Sequence, residues 1–146
     1  MFFASLWLPG LVLANNPATG QAESYWGIGL LLLGWIEAMT LSLNGVAWFA
    51  NPCFALATLL LLVHRWSWAT VLFGLACLFA LTSFCVKTAC INEAGGVVPV
   101  TGLGSGFWVW FGGMLVGAVA SFSLWRQESA LLKWKLAQAT NDLVEV

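Results

Sequence analysis

The chain reads as an all-α membrane protein: a bundle of about four transmembrane helices, with a short N-terminal membrane segment and an amphipathic C-terminal helical tail. Three observations predict this. Hydrophobic residues make up 61% and charged residues 8% of the 146 positions, and the mean hydropathy is +0.91. An ordinary soluble domain carries about 25% charge, so a water-facing surface could not be built from this chain. Apolar stretches of membrane length recur along it, separated by short segments rich in Pro, Gly, Asn or charge. Of the ten Trp residues, seven (26, 48, 66, 68, 108, 110 and 125) lie near the ends of those stretches, at the level where an indole is half in lipid and its N–H finds a partner.

Residues 1–14, MFFASLWLPGLVLA, are apolar but carry Pro9-Gly10 in the middle. They have the h-region length of a signal peptide but no basic residue ahead of it. We read them as a short, broken or in-plane helix, with a full crossing as the other option. Residues 15–25 are polar and form a loop. The second segment, Trp26–Trp48, is the longest apolar stretch in the first half, and at ~1.5 Å per residue a helix there would reach across a core of about 30 Å. It carries Glu37 near its middle, with Thr40 and Asn44 on the same helical face. Asn51-Pro52 restarts the chain, because Asn caps a helix and Pro suits its first position.

The third helix is PCFALATLLLLVHRW, residues 52–66, and the fourth runs from Ala69 to about Val86. A Gly- and Pro-rich linker, 87–105, leads to a fifth segment from Gly106 to Trp125. The remaining residues, 126–146, are the one strongly mixed-charge stretch, with Leu132, Leu136 and Leu143 near one face. Two regions result: a transmembrane bundle over 1–125 and a cytoplasmic tail over 126–146.

Charge placement orients the chain. Arg65, Arg126, Lys133 and Lys135 fall on one side if segments three to five all cross, and Lys87 alone falls on the other. The positive-inside bias puts the turn at Arg65 and the C-terminus in the cytoplasm. Loop 15–25 and Trp26 are then cytoplasmic as well, and the 87–105 linker faces outward.

The strings GW (34–35), AWFANP (47–52), NEAGG (92–96) and GLGSGFWVWFGG (102–113) resemble a group of small bacterial inner-membrane four-helix proteins. The resemblance covers about residues 26–115. It implies a bacterial inner membrane and brings no activity with it.

Composition excludes several functions. No basic run exists to neutralise phosphates, so nucleic acid is not a partner. The sole histidine, His64, and four scattered Cys without a CxxC make no zinc site. No nucleophile–His–acid set can be assembled, so the chain is not read as an enzyme, and no cofactor or metal is expected. A thiol oxidase of the DsbB type also has outward cysteines on a small helical bundle, but it needs an exchanging Cys pair that is absent here.

The residues singled out are contacts. A carboxylate in lipid must be protonated, paired or wet, so Glu37 is expected to meet a partner or a neighbouring helix, with Asn44 beside it. Gly113 and Gly117 form a small-xxx-small groove that lets a helix approach closely, within the chain or from another subunit. Asn92 and Glu93 are the polar contacts of the outward linker. Cys85 and Cys90 lie near enough in sequence for a disulfide in an oxidising compartment.

The function this supports is a small integral accessory or structural subunit that docks into a larger inner-membrane assembly or oligomerises, its partners being lipid and other membrane subunits or itself. The alternative is an oligomeric ion or proton pathway in which Glu37 titrates.

Overall fold

The computed structural model describes residues 1–15, 22–39, 43–90 and 97–144. Its elements in chain order are helix α1 (Phe2–Leu6), strands β1 (Pro9–Asn15) and β2 (Ala22–Trp26), helices α2 (Gly27–Met39), α3 (Leu43–Trp48), α4 (Ala50–Leu62) and α5 (Trp66–Leu81), a 3-10 turn at Thr82–Cys85, strands β3 (Thr88–Cys90) and β4 (Val97–Leu103), and helix α6 (Ser105–Val144).

Among the described residues, three helical stretches are long and apolar enough to cross a membrane: Gly45–Leu62, Trp66–Cys85 and Ser105–Asn141. The chain is therefore a membrane protein with three such helices, one fewer than the sequence leads one to expect. The missing crossing is the Trp26–Trp48 segment. Only 13 of its residues form α2, which at ~1.5 Å per residue is about 20 Å and too short for the hydrocarbon core.

Contacts place both ends of α2 at one end of the bundle. The Gly27 N–H donates to the Leu8 carbonyl (3.0 Å), and a Cβ on Gly27 would collide with the Ser5 carbonyl. Ser5 and Leu8 in turn lie against Gly106, at the start of α6. At the other end of α2, the Glu37 carbonyl and Ala38 backbone pack directly on Gly45, the first residue of the span Gly45–Leu62. α3 then runs back along α2, with Trp48 seated on Gly34 and its indole N–H donating to the Leu31 carbonyl (2.9 Å). The segment folds back as a hairpin and does not cross.

The second departure is a sheet. β2, β1, β4 and β3 lie side by side in that order, all antiparallel. Pro9 pairs with Trp26, Leu11 with Leu103, Leu13 with Val100 and Thr88 with Pro99. The residues expected to form a broken helix (9–14) and much of the Gly/Pro-rich linker are thus strands. Val97, Val98, Val100 and Thr101 are β-branched and suit a pleated surface. Pro99 is tolerated because the pairing of β4 with β1 stops at Val100, so the proline sits where the strand is paired on one side only. Leu11, Leu13 and Ala89 form the buried centre of this layer, with Tyr25, Leu30 and Leu103 packed on it. β1 and β2 share a sheet with β4, so the described residues 22–26 belong at the same end as 97–103, opposite to the side their sequence position implied.

Within the bundle, α4 and α5 meet along small residues. Ala50 and Ala57 on α4, and Ala69, Ala76 and Ala80 on α5, are all fully buried. The spacings of seven (50 to 57, 69 to 76) and four (76 to 80) keep one narrow stripe facing the partner helix, and methyl-sized side chains let the backbones approach closely. Phe73 fills the seam lower down, edge-on to Phe54 (5.6 Å). α6 closes the bundle through Met114, fully buried beside Ala50, Ala76 and Ala80. The tail belongs to the same unbroken helix.

The α4–α5 turn closes with a Schellman pattern. The Arg65 N–H reaches the Leu60 carbonyl (2.9 Å) and the His64 N–H the Leu61 carbonyl (3.2 Å), with His64 left-handed at φ 59°.

Candidate functional site

Four hydroxyls within the three spans donate to carbonyls of their own helices. Thr58 donates to the Phe54 carbonyl (2.8 Å), Thr70 to Trp66 (2.9 Å), Ser121 to Ala118 (3.0 Å) and Ser123 to Val119 (2.8 Å). Such back-bonding hides a polar group from lipid without an interhelical partner. A cross-helix bond joins α6 to α4 near the sheet end, where the Trp110 indole N–H donates to the Asn51 carboxamide oxygen (3.1 Å). Asn51 was legible as a helix start, but its bond to Trp110, 59 positions away, was not.

Glu37 is half-buried on α2 beside Gly45, at the edge of a span and well away from the bundle centre. Asn44 lies on α3, one position before Gly45; its side chain, like Thr40, Asn92 and Glu93, falls outside the described residues. Gly113 and Gly117 both face neighbours within the chain. A Cβ on Gly113 would stand 3.5 Å from the Met1 Cβ, and one on Gly117 would press into the Phe73 ring at 2.5 Å. The groove is filled by α1 above and by the α5 phenyl ring below. Cys85 is an exposed free thiol at the end of the 3-10 turn; Cys90 begins the region whose side chains are not described.

An open groove of about 390 Å³ lies where the sheet meets the bundle, between the 3-10 turn, β4 and the first turn of α6. Phe84, Val86, Leu103 and Trp108 give it apolar walls, and Ser83 and Thr101 are its hydroxyl groups. Sequence reasoning missed it, because its walls come from segments about 20 residues apart that only the sheet brings together. Among the described residues, no three or more His, Cys, Asp or Glu side chains come together in a way that could hold a metal ion.

The opposite end of the molecule is a projecting rod. α6 is 40 residues long, about 60 Å, of which the hydrocarbon core takes roughly half. Every described residue from Trp125 to Asn141 except Ser129 is exposed. Leu131, Leu132, Trp134 and Leu136 are 56–69% exposed, and they lie farther into α6 than the roughly 20 residues that a hydrocarbon core of about 30 Å takes up.

No family model, curated protein or solved structure matches this chain.

Proposed function

We propose that this protein is a non-enzymatic integral subunit of a bacterial inner-membrane assembly, with its tail in the cytoplasm and the sheet on the outer side. One observation carries the reading: far along α6, where no other element of the chain packs on it, Leu131, Leu132, Trp134 and Leu136 are all exposed. Large apolar side chains in that density mark an interaction surface, and Leu132 and Leu136 share the face that a partner helix would cover. The placement of the five basic residues supports the orientation. Arg65, Arg126, Lys133 and Lys135 lie at the turn and tail end, and Lys87 precedes β3 at the sheet end.

The ion-pathway reading loses its main support. A titrating group must lie within the crossing, and Glu37 sits on a helix that turns back at the sheet end. The seam between α4 and α5 is lined by Ala and Phe, which offer a permeant ion no ligand.

The test is the mass of the particle extracted in mild detergent, with mass spectrometry of whatever co-migrates. A stoichiometric second protein or a defined homo-oligomer is the expected result. A lone monomer, extracted at native abundance and with cross-linking before solubilisation, would overturn the proposal.

A further inference from the structure

We infer that the tail forms a parallel, in-register, two-stranded coiled coil with a second copy of this chain, with Glu128 of each copy paired to Lys133 of the other. This rests on the reading of the protein as a subunit that assembles through its tail. Trp125, Ser129, Leu132, Leu136 and Ala139 follow one another at spacings of four, three, four and three. That 3.5-residue period is the seam of a left-handed coiled coil. Leu132 and Leu136 are exposed in the single chain, as the seam of an unpaired strand must be.

The charges beside the seam choose the partner. Glu128 and Lys135 flank it on one side, Arg126 and Lys133 on the other. In a parallel pair without stagger, a flanking residue meets the one five positions later on the other strand. Glu128 then faces Lys133, and by symmetry this happens twice; Lys135 faces the uncharged Thr140. No like charges meet. Neither Glu128 nor Lys133 has an opposite charge three or four residues away on its own helix, since those positions hold Leu131 and Leu132, or Ser129 and Ala130. Their complement is supplied by a second strand.

The bilayer fixes the rest. Copies with the same topology project their tails from the same face at the same height, because each tail continues a spanning helix without a break. Parallel orientation and zero stagger are therefore imposed before the tails touch. This matters because the seam is weak, with two Leu layers against one Ser and one Ala. Confinement in the membrane raises the effective concentration that such a seam needs.

The experiment uses the full chain in phosphatidylethanolamine/phosphatidylglycerol vesicles, half of the copies carrying a donor and half an acceptor fluorophore at the C-terminus. Energy transfer is measured against protein-to-lipid ratio. For the wild type, transfer rises to saturation as the ratio increases. Glu128→Lys is expected to move the midpoint about tenfold higher, since two exposed ion pairs per dimer become repulsions. Lys133→Glu does the same, and the double exchange restores the wild-type midpoint. Trp134→Ala, opposite the seam, leaves it unchanged.

An unmoved midpoint in Glu128→Lys, no rescue by the double exchange, or a loss in Trp134→Ala overturns the inference. Absent wild-type transfer with a stoichiometric second protein in the detergent particle overturns the homotypic pair and leaves the subunit reading standing. Absent transfer with a lone monomer overturns both.

Discussion

The α2–α3 hairpin and the α4–α5 pair are built from similar material and end up in opposite roles. Both are strongly apolar helix pairs in which small residues make the contact. In the α4–α5 pair the contacts are Ala methyls on stretches of 18 and 20 residues, the first of which counts the end of α3 with α4, and the pair is long enough to cross. In the hairpin they are Gly34 and Gly45, where Trp48 and the Glu37–Ala38 backbone press in, and the pair turns back. Hydrophobicity admits both segments to the membrane. Where small residues lie along the helix, and where the helix ends, decide how each is used.

The sharpest way to break this contrast is sidedness. With Cys85 and Cys90 changed to Ser, Ser24→Cys and Lys87→Cys should both react with an impermeant maleimide from one face, and His64→Cys only from the other. If Ser24→Cys labelled with His64→Cys, the Trp26–Trp48 segment would cross after all.

Packing comes next. Gly45→Val should destabilise the protein by about 3 kcal/mol, because its new side chain meets backbone that cannot move aside. Ala76→Leu in the α4–α5 seam should cost about 2 kcal/mol, since the two helices can part slightly to admit it. Unfolding in mixed detergent–SDS micelles measures both, and a reversed order would mean that the hairpin is the looser contact.

The smallest effect is a gain. His64 is left-handed at the end of α4, a conformation that glycine adopts without steric cost. His64→Gly should stabilise the α4–α5 turn by about 0.5–1 kcal/mol, because relief of left-handed strain of about 1–2 kcal/mol outweighs the freedom glycine adds to the unfolded chain, read by the same titration. A loss of stability instead would show that the His64 ring, 5.0 Å from Trp66, contributes more than the backbone strain costs.

Much of the bundle was legible. Segments four and five begin within three residues of their observed starts, because long apolar runs flanked by Trp and charge have few other uses, whereas segment three, read as 52–66, is part of a stretch that begins at Gly45 and stops at Leu62. Asn51-Pro52 was read as the cap and first position of a helix, but α4 starts at Ala50 with Phe49 as its N-cap, and both residues lie inside its first turn. The sheet was not legible. Residues 9–14 and 97–103 are short apolar runs whose periodicity does not separate strand from helix, and each becomes a strand by pairing with the other across about 90 positions. The candidate site divides in the same way. Gly113 and Gly117 could be recognised as a groove from spacing alone, while their occupants, Met1 and Phe73, could not.

The sequence by itself determined that this protein lives in a membrane, because burying so much apolar surface without charge leaves no other solvent. It also determined that Leu132, Leu136 and Leu143 fall near one face of the tail, since periodicity is a local property of one helix. The tertiary structure decided which apolar segment crosses and which turns back. That choice rests on Gly27 meeting Ser5 and Gly45 meeting Glu37, contacts between segments whose hydropathy is the same whether they cross or not.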